Sequence, residues 1–303
     1  MKPCVRPVCY RVNQVEISLI TDEISADPET AIEMGVEWGV RDFELRGYFT
    51  DRVPCISPYQ KDKLREVLDS YQARIIAISP GLFKSPLPAK KWDSFPVAAI
   101  EAGNHRRWKT AHDHAQMHLY ELLPESIAYA KEIGAAIILA FSFQRCGQSA
   151  DLAPDPVLNT LHKAAEMTAA EGLTLAIEVE SNFWADTGSR SAQLLEAINH
   201  PNLKINWDPG NAIEAGDVPY PDGYAQIRKY LAHVHFKDAL RLPNGRFEYA
   251  LAGDVDWTGQ IQALIQDHYP GFISIETHMQ FKVASSRYAL HHLRQLIGQA
   301  NGT

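Results

Sequence analysis

The chain contains no Cys-x-x-Cys pair: its four cysteines, Cys4, Cys9, Cys55 and Cys146, stand apart in a sequence of 303 residues, long enough to bury a core without disulfide staples. They read as reduced structural thiols, and a zinc knuckle on Cys4 and Cys9 lacks partner ligands nearby. Long apolar runs are missing too. The longest, Ala135 to Phe141, falls far short of the ~18 residues that span a bilayer, and the opening MKPCVRPVCYRVNQ has no signal-peptide core. A soluble, cytoplasmic protein with no membrane partner is expected. Positive charge is in deficit, 29 Lys and Arg against 37 Asp and Glu, a net charge of −8, which excludes a protein whose affinity comes from neutralising phosphate backbones. Nucleic acid is therefore not an expected partner. No low-complexity or Pro/Gly-rich linker divides the chain, so a single domain over residues 1–303 is expected.

What is present is a repeated alternation. Runs rich in Val, Ile and Leu predict strands at 15–20, 41–46, 74–79, 135–141, 174–180, 203–208, 232–237 and 272–276. Amphipathic segments between them predict helices at 28–38, 59–72, 115–133, 156–171, 189–199, 222–231, 257–268 and 285–299, with starts marked by Ser57-Pro58, Asp155-Pro156, Asp256 and Ser285. Eight strand and helix units are the number that closes a (β/α)8 TIM barrel, an α/β fold of roughly 250 residues plus insertions. An open doubly wound sheet would place a Gly-rich phosphate turn after its first strand, whereas here Thr21-Asp22-Glu23-Ile24-Ser25 follows. One connection is long, from about 83 to 118 between the third strand and its helix. It contains Trp92, His105-Arg106-Arg107-Trp108, His112, His114 and His118. Such a loop suits either a lid or a packing insertion, and its histidines read as solvated groups rather than ligands.

Four of the apolar runs end in a polar residue: Glu178 in LTLAIEVE, Asp208 in LKINWD, His235 in YLAHVHFKD and Glu276 in GFISIETH. A strand alternates its faces, so Glu178 shares a face with Glu180, Asn206 with Asp208, His233 with His235 and Lys237, and Glu276 with His278. Polar residues at the C-terminal ends of barrel strands read as catalytic rather than stabilising. Two Glu, one Asp and one His form an oxygen-rich set suited to one divalent metal ion, Mn²⁺, Mg²⁺, Co²⁺ or Zn²⁺, with positions left for substrate oxygens. Singly, each has a plainer role: Glu276 a salt-bridge partner, His233 or His235 a core histidine, Asp208 a helix cap. The coincidence of four favours the metal.

LAIEVES, INWDPGNAI, AHVHFKDA, LAGDVDW and FISIETH, with ELRG at the second strand, resemble the successive strand signatures of the xylose isomerase-like TIM barrels, a superfamily of sugar phosphate isomerases, epimerases and related dehydratases. The resemblance implies that Glu178, Asp208, His235 and Glu276 hold the metal and that Glu178 and Glu276 double as the acid/base pair. It implies a sugar, sugar phosphate or polyol as the small-molecule partner, isomerised or epimerised through a metal-stabilised enediolate. Self-association is left open. Lys237 and His233 share the face of His235 and are substrate-binding candidates, as is Arg46 at the end of strand 2. Arg241, six residues after His235, resembles the arginine with which ketose 3-epimerases grip substrate. Asn211 stands where those enzymes usually carry His, and Trp184 where they carry Glu, departures that set this chain apart from the free-ketohexose epimerases. The alternative reading is a dehydratase of a polyol or keto acid. An apurinic-endonuclease-like hydrolase shares the barrel, but Ile78-Ser79-Pro80, Phe141-Ser142-Phe143 and Asp254-Val255-Asp256 lack the extra histidines of its three-zinc site. A sugar-binding module without catalysis would not need all four ligands.

Overall fold

The computed structural model describes residues 15–86, 111–148 and 152–302. Cys4, Cys9, Trp92, the stretch from His105 to Trp108 and the side chain of His112 lie outside the described residues. In chain order the strands are β1 (Glu16–Ile20), β2 (Asp42–Leu45), β3 (Gly47–Tyr48), β4 (Asp51–Arg52), β5 (Arg74–Leu82) and β6 (Ile137–Ala140). They continue with β7 (Thr174–Glu178), β8 (Leu203–Trp207), β9 (Leu231–Phe236), β10 (Asp238–Arg241), β11 (Phe247–Ala250) and β12 (Phe272–Ile275). Eight of them, β1, β2, β5, β6, β7, β8, β9 and β12, pair in parallel in that order, and β12 returns to β1 to close a barrel. The fold is a TIM barrel. Two antiparallel hairpins, β3–β4 and β10–β11, rise from the C-terminal ends of β2 and β9.

The helices are α1 (Pro28–Glu37), α2 (Pro58–Tyr71), α3 (Ala111–Met117), α4 (Leu123–Ile133) and α5 (Asp155–Ala170), followed by α6 (Gly188–Ile198), α7 (Pro209–Glu214), α8 (Tyr224–Ile227), α9 (Trp257–Gln266) and α10 (Lys282–Asn301). Their starts follow local chemistry. Asp27 accepts from the Glu29 and Thr30 backbone N–H groups at 3.2 and 3.4 Å, Ser57 and Gln60 form a reciprocal capping box, and Asp256 accepts from Gly259 N at 2.9 Å. Two starts differ from expectation. Asp155 is the first residue of α5 rather than its cap, and Ser285 lies inside α10, where its hydroxyl donates to Gln280 O at 2.9 Å. Among the described residues no helix is long and apolar enough to cross a membrane.

Alternation along the strands separates two environments. Leu19 and Phe43 face outward and crowd Gly35 of α1, while the opposite face carries Ser18, Ser274, Glu44, His233 and His235, hydrogen-bonded across the lumen. The apolar alternate thus packs the helices, as with the buried Trp207 of β8, whose indole N–H donates to Gln260 of α9 at 2.9 Å. His114 and His118 correct the solvated reading: both are buried, their rings 4.1 Å apart, and His118 Nδ1 accepts from Phe83 N at 2.6 Å just beyond β5. They are packing residues at the base of the long connection.

Gly188, the first residue of α6, sits against the backbone before α8, so that a Cβ there would lie 2.3 Å from Gly223 O. Backbone cannot yield as a side chain tip can. Gly188→Ala is expected to cost about 1–3 kcal/mol and to lower the thermal midpoint by several degrees, read by circular dichroism. An unchanged midpoint would show that this contact relaxes freely.

Candidate active site

The four strand ends singled out by sequence converge. Glu178 is the last residue of β7, Asp208 follows β8, His235 is the penultimate residue of β9, and Glu276 follows β12. One ligand atom from each lies within 4.8 Å of the other three, and all four residues are at most 5% exposed. His235 Nδ1 lies 2.9 Å from Glu276 Oε2 and 3.8 Å from both Glu178 Oε1 and Asp208 Oδ2. Its other nitrogen points away, to Glu44 Oε2 at 3.0 Å.

Asp208 divides its carboxylate between two tasks. Oδ1 accepts from Asn211 N at 2.9 Å and caps α7, so the plain role expected of it is real. Oδ2 turns into the cluster, where it accepts no directed hydrogen bond although Lys237 Nζ lies 2.8 Å away. That oxygen is buried, and its charge is balanced by the Lys237 ammonium beside it. Three carboxylates and one imidazole gathered this closely form the kind of donor set that divalent ions take. The residues present therefore suit a divalent ion, which Glu178, Asp208, Glu276 and His235 Nδ1 would hold.

Electrostatics around the cluster are sharply divided. Burial raises the Glu178 carboxyl to about 7, with Glu276 and Glu180 adding repulsion against the pull of His235. Burial acts the same way on Glu276, but Lys237, His235, His278 and Arg46 outweigh it and hold that carboxyl well below the usual range. Burial opposes the charges on Lys237 and His235 as well, yet Asp208 and Glu276 for the first, Glu44 and Glu276 for the second, keep both strongly basic.

Above the cluster opens a cavity of about 640 Å³, within the range that holds a small metabolite. Lys237 and Arg46 line it. Arg46 bonds Asp22 at 2.7 Å and Glu23 at 2.6 Å and also reaches Glu276; Lys237 Nζ lies 3.0 Å from Glu276 Oε2. The remaining substrate-binding candidates do not line the cavity. His233 is buried below it, 3.0 Å from Glu44 and 2.8 Å from Ser274 Oγ. Asn211 is a brace, its amide donating to Val179 O at 3.0 Å and Glu180 Oε2 at 2.9 Å. Arg241 is exposed on the β10–β11 hairpin, its guanidinium 5.2 Å from the Phe247 ring. Trp184 packs in the core beneath Arg145, 5.0 Å away, rather than facing the cavity.

Residues that sequence reasoning passed over complete the site. Glu23 is buried and accepts from Thr277 N, Thr277 Oγ1 and His278 N at 2.8–3.0 Å, fastening the segment that carries Glu276. Glu180, noted only for its parity, pairs with Lys84 at 3.0 Å, and Arg52 donates from Nε to Ser79 O at 2.8 Å and from Nη2 to Ser79 Oγ at 3.0 Å. Glu23, Glu180, Lys84, Arg52 and Ser79 line the cavity, whereas Glu44, the partner of His235 Nε2, does not. A parity count on ELRG would have put Glu44 on the same face as Arg46.

The fold and this site define a class: parallel barrels that gather carboxylates and an imidazole at the C-terminal rim. The profile of the xylose isomerase-like TIM barrel family matches residues 32–296, and the chain belongs to that family. It is 32% identical over 102 residues to the 3-dehydroshikimate dehydratase of Bacillus anthracis, a match over 32% of this chain and 36% of that one. The chain thus spans only about a third of the length of that curated relative in the match. Among solved structures it superposes on the probable 3-DHS dehydratase AsbF of Bacillus anthracis with a TM-score of 0.69 at 21% identity, covering 92% of this chain and 99% of that one. It superposes on L-ribulose 3-epimerase with a TM-score of 0.66 at 17% identity, covering 95% and 96%. At these identities the superpositions speak for the fold alone.

Proposed function

We propose that the protein is a divalent-metal-dependent isomerase or epimerase of a sugar or sugar phosphate, with Glu178 and Glu276 as its acid/base pair. The observation that carries this reading is the placing of the two glutamates. They line one cavity from β7 and β12, two strands separated by β8 and β9, so they address a bound molecule from two sides. One accepts the proton on the carbon beside a substrate carbonyl, and the other returns a proton to the opposite face or to the neighbouring carbon. A divalent ion in the cluster supplies Lewis-acid polarisation of the carbonyl when bound. Lys237 and Arg46, fixed by their carboxylate partners, place positive charge where the enediolate's negative charge develops.

A dehydratase is the second reading, supported by the match to 3-dehydroshikimate dehydratase and by the basic groups Arg52, Lys84 and Lys282 around the mouth. There the same proton removal is followed by loss of a neighbouring hydroxyl as water, and the basic rim suits a carboxylate as well as a phosphate. The discriminating experiment is incubation of the metal-loaded protein in deuterated water with ketoses, ketose phosphates and 3-dehydroshikimate, followed by NMR. Deuterium entering next to a carbonyl without loss of water supports the isomerase, and water loss supports the dehydratase. No exchange and no product across the panel would remove both.

A further inference from the structure

We propose that Glu44 of β2 is a positioning residue that fixes which nitrogen of His235 faces the carboxylate cluster, and so sets the affinity of that cluster for a divalent ion. This rests on the metal-site reading above. A neutral imidazole has one N–H and one lone pair, and only the lone pair can take a metal. His235 Nε2 lies 3.0 Å from Glu44 Oε2, while Nδ1 faces Glu276, Glu178 and Asp208; the Asn206 amide nitrogen sits against the ring, 3.1 Å from Nε2 and 3.3 Å from Nδ1, and its neutral dipole competes less strongly for the ring proton than the Glu44 carboxylate. A proton held on Nε2 by Glu44 leaves the Nδ1 lone pair aimed at the cluster, the carboxylate–histidine–metal arrangement that raises ligand basicity.

Glu44 is itself held. The same Oε2 lies 3.0 Å from His233 Nε2, which is 2.8 Å from Ser274 Oγ, and that hydroxyl meets Ser18 Oγ. The ladders are irregular beside these groups: the β2–β5 pairing shifts between Phe43 and Glu44, and the β8–β9 pairing shifts between Ile205 and Asn206, whose partner is His233. Glu44, His233 and His235 could also be read as a second chelating group. Against that, their facing atoms already satisfy one another, the single Glu44 Oε2 lying 3.0 Å from both Nε2 atoms.

The test is metal binding, read separately from turnover. Glu44→Gln keeps the volume and removes the charge. Its Zn²⁺ dissociation constant, measured by competition with a chromophoric chelator, is expected to rise about 10- to 100-fold, with an altered visible spectrum for bound Co²⁺. Asp208→Asn serves as the reference for loss of a direct ligand. Wild-type Zn²⁺ affinity and an unchanged Co²⁺ spectrum in Glu44→Gln, with binding lost in Asp208→Asn, would overturn this proposal and leave the metal site standing. Unchanged binding in both variants would overturn both. Should Glu44→Gln fail to fold, long-range ¹H–¹⁵N spectra of the Zn²⁺-loaded wild-type protein decide the matter. A protonated Nε2 and a metal-bearing Nδ1 on His235 are expected; ligation through Nε2, or two Zn²⁺ per chain, would overturn it.

Discussion

Glu178→Gln and Glu276→Gln are each expected to lower kcat by about 10²–10⁴-fold, the usual contribution of a positioned acid or base, with the barrel retained; Glu276→Gln also lowers the thermal midpoint, because it strips a charge from the ion pairs with Arg46, Lys237 and His235. Retention of the barrel follows from location. Both side chains sit at the rim, on the cavity wall, and neither belongs to the apolar layer that packs the helices. Because both are also proposed ligands, metal content must be measured beside turnover. A variant that retains metal at saturating concentration and still loses kcat, with KM little changed, marks an acid/base role. Near wild-type turnover in either variant would remove that residue from the proton-transfer step.

Stripping the metal is expected to abolish activity altogether and to lower the thermal midpoint, with recovery on adding Mn²⁺, Mg²⁺, Co²⁺ or Zn²⁺. Three buried carboxylates, Glu178, Asp208 and Glu276, face one another around His235 Nδ1, with Lys237 and Arg46 as the neighbouring positive charges. Binding of a divalent ion relieves that repulsion in the folded state alone, and at a concentration 100 times its dissociation constant contributes about 2.7 kcal/mol. Calorimetry with and without chelator reads the shift. Full turnover in protein shown by elemental analysis to be metal-free would sink the assignment of the cluster.

The barrel was legible because its strands are apolar enough to register as runs and its helices periodic enough to separate them. The four ligand candidates were legible because a charge closing such a run is conspicuous. What escaped was whatever depends on distant pairing. Glu44 sits in the four-residue strand DFEL, and its partners His233 and His235 are 189 and 191 residues away, so the local sequence offers its parity with Arg46 but not its role. Glu23 likewise meets Thr277 across 254 residues. Arg241 was drawn in by its spacing from His235, but that count assumes a chain continuing along the rim. The short β10–β11 hairpin carries it outward instead, and strands of four residues with polar faces leave little periodic signal. His233 and Asn211 lie close in sequence to ligands yet are spent on hydrogen bonds beneath or beside them.

The clasp formed by Glu23 and Arg46 has a consequence for how the protein is made. Glu276 gains its neighbours only when the segment after the final stave meets groups translated some 230 residues earlier, Arg46 across the barrel's closing edge and Glu23 through Thr277 and His278. A nascent chain emerged as far as His235 already carries three of the four proposed ligands, but the fourth, Glu276, follows only 41 residues later, after β12. Assembly of the four-residue cluster is thus tied to ring closure, so a half-built cylinder on the ribosome has only part of it.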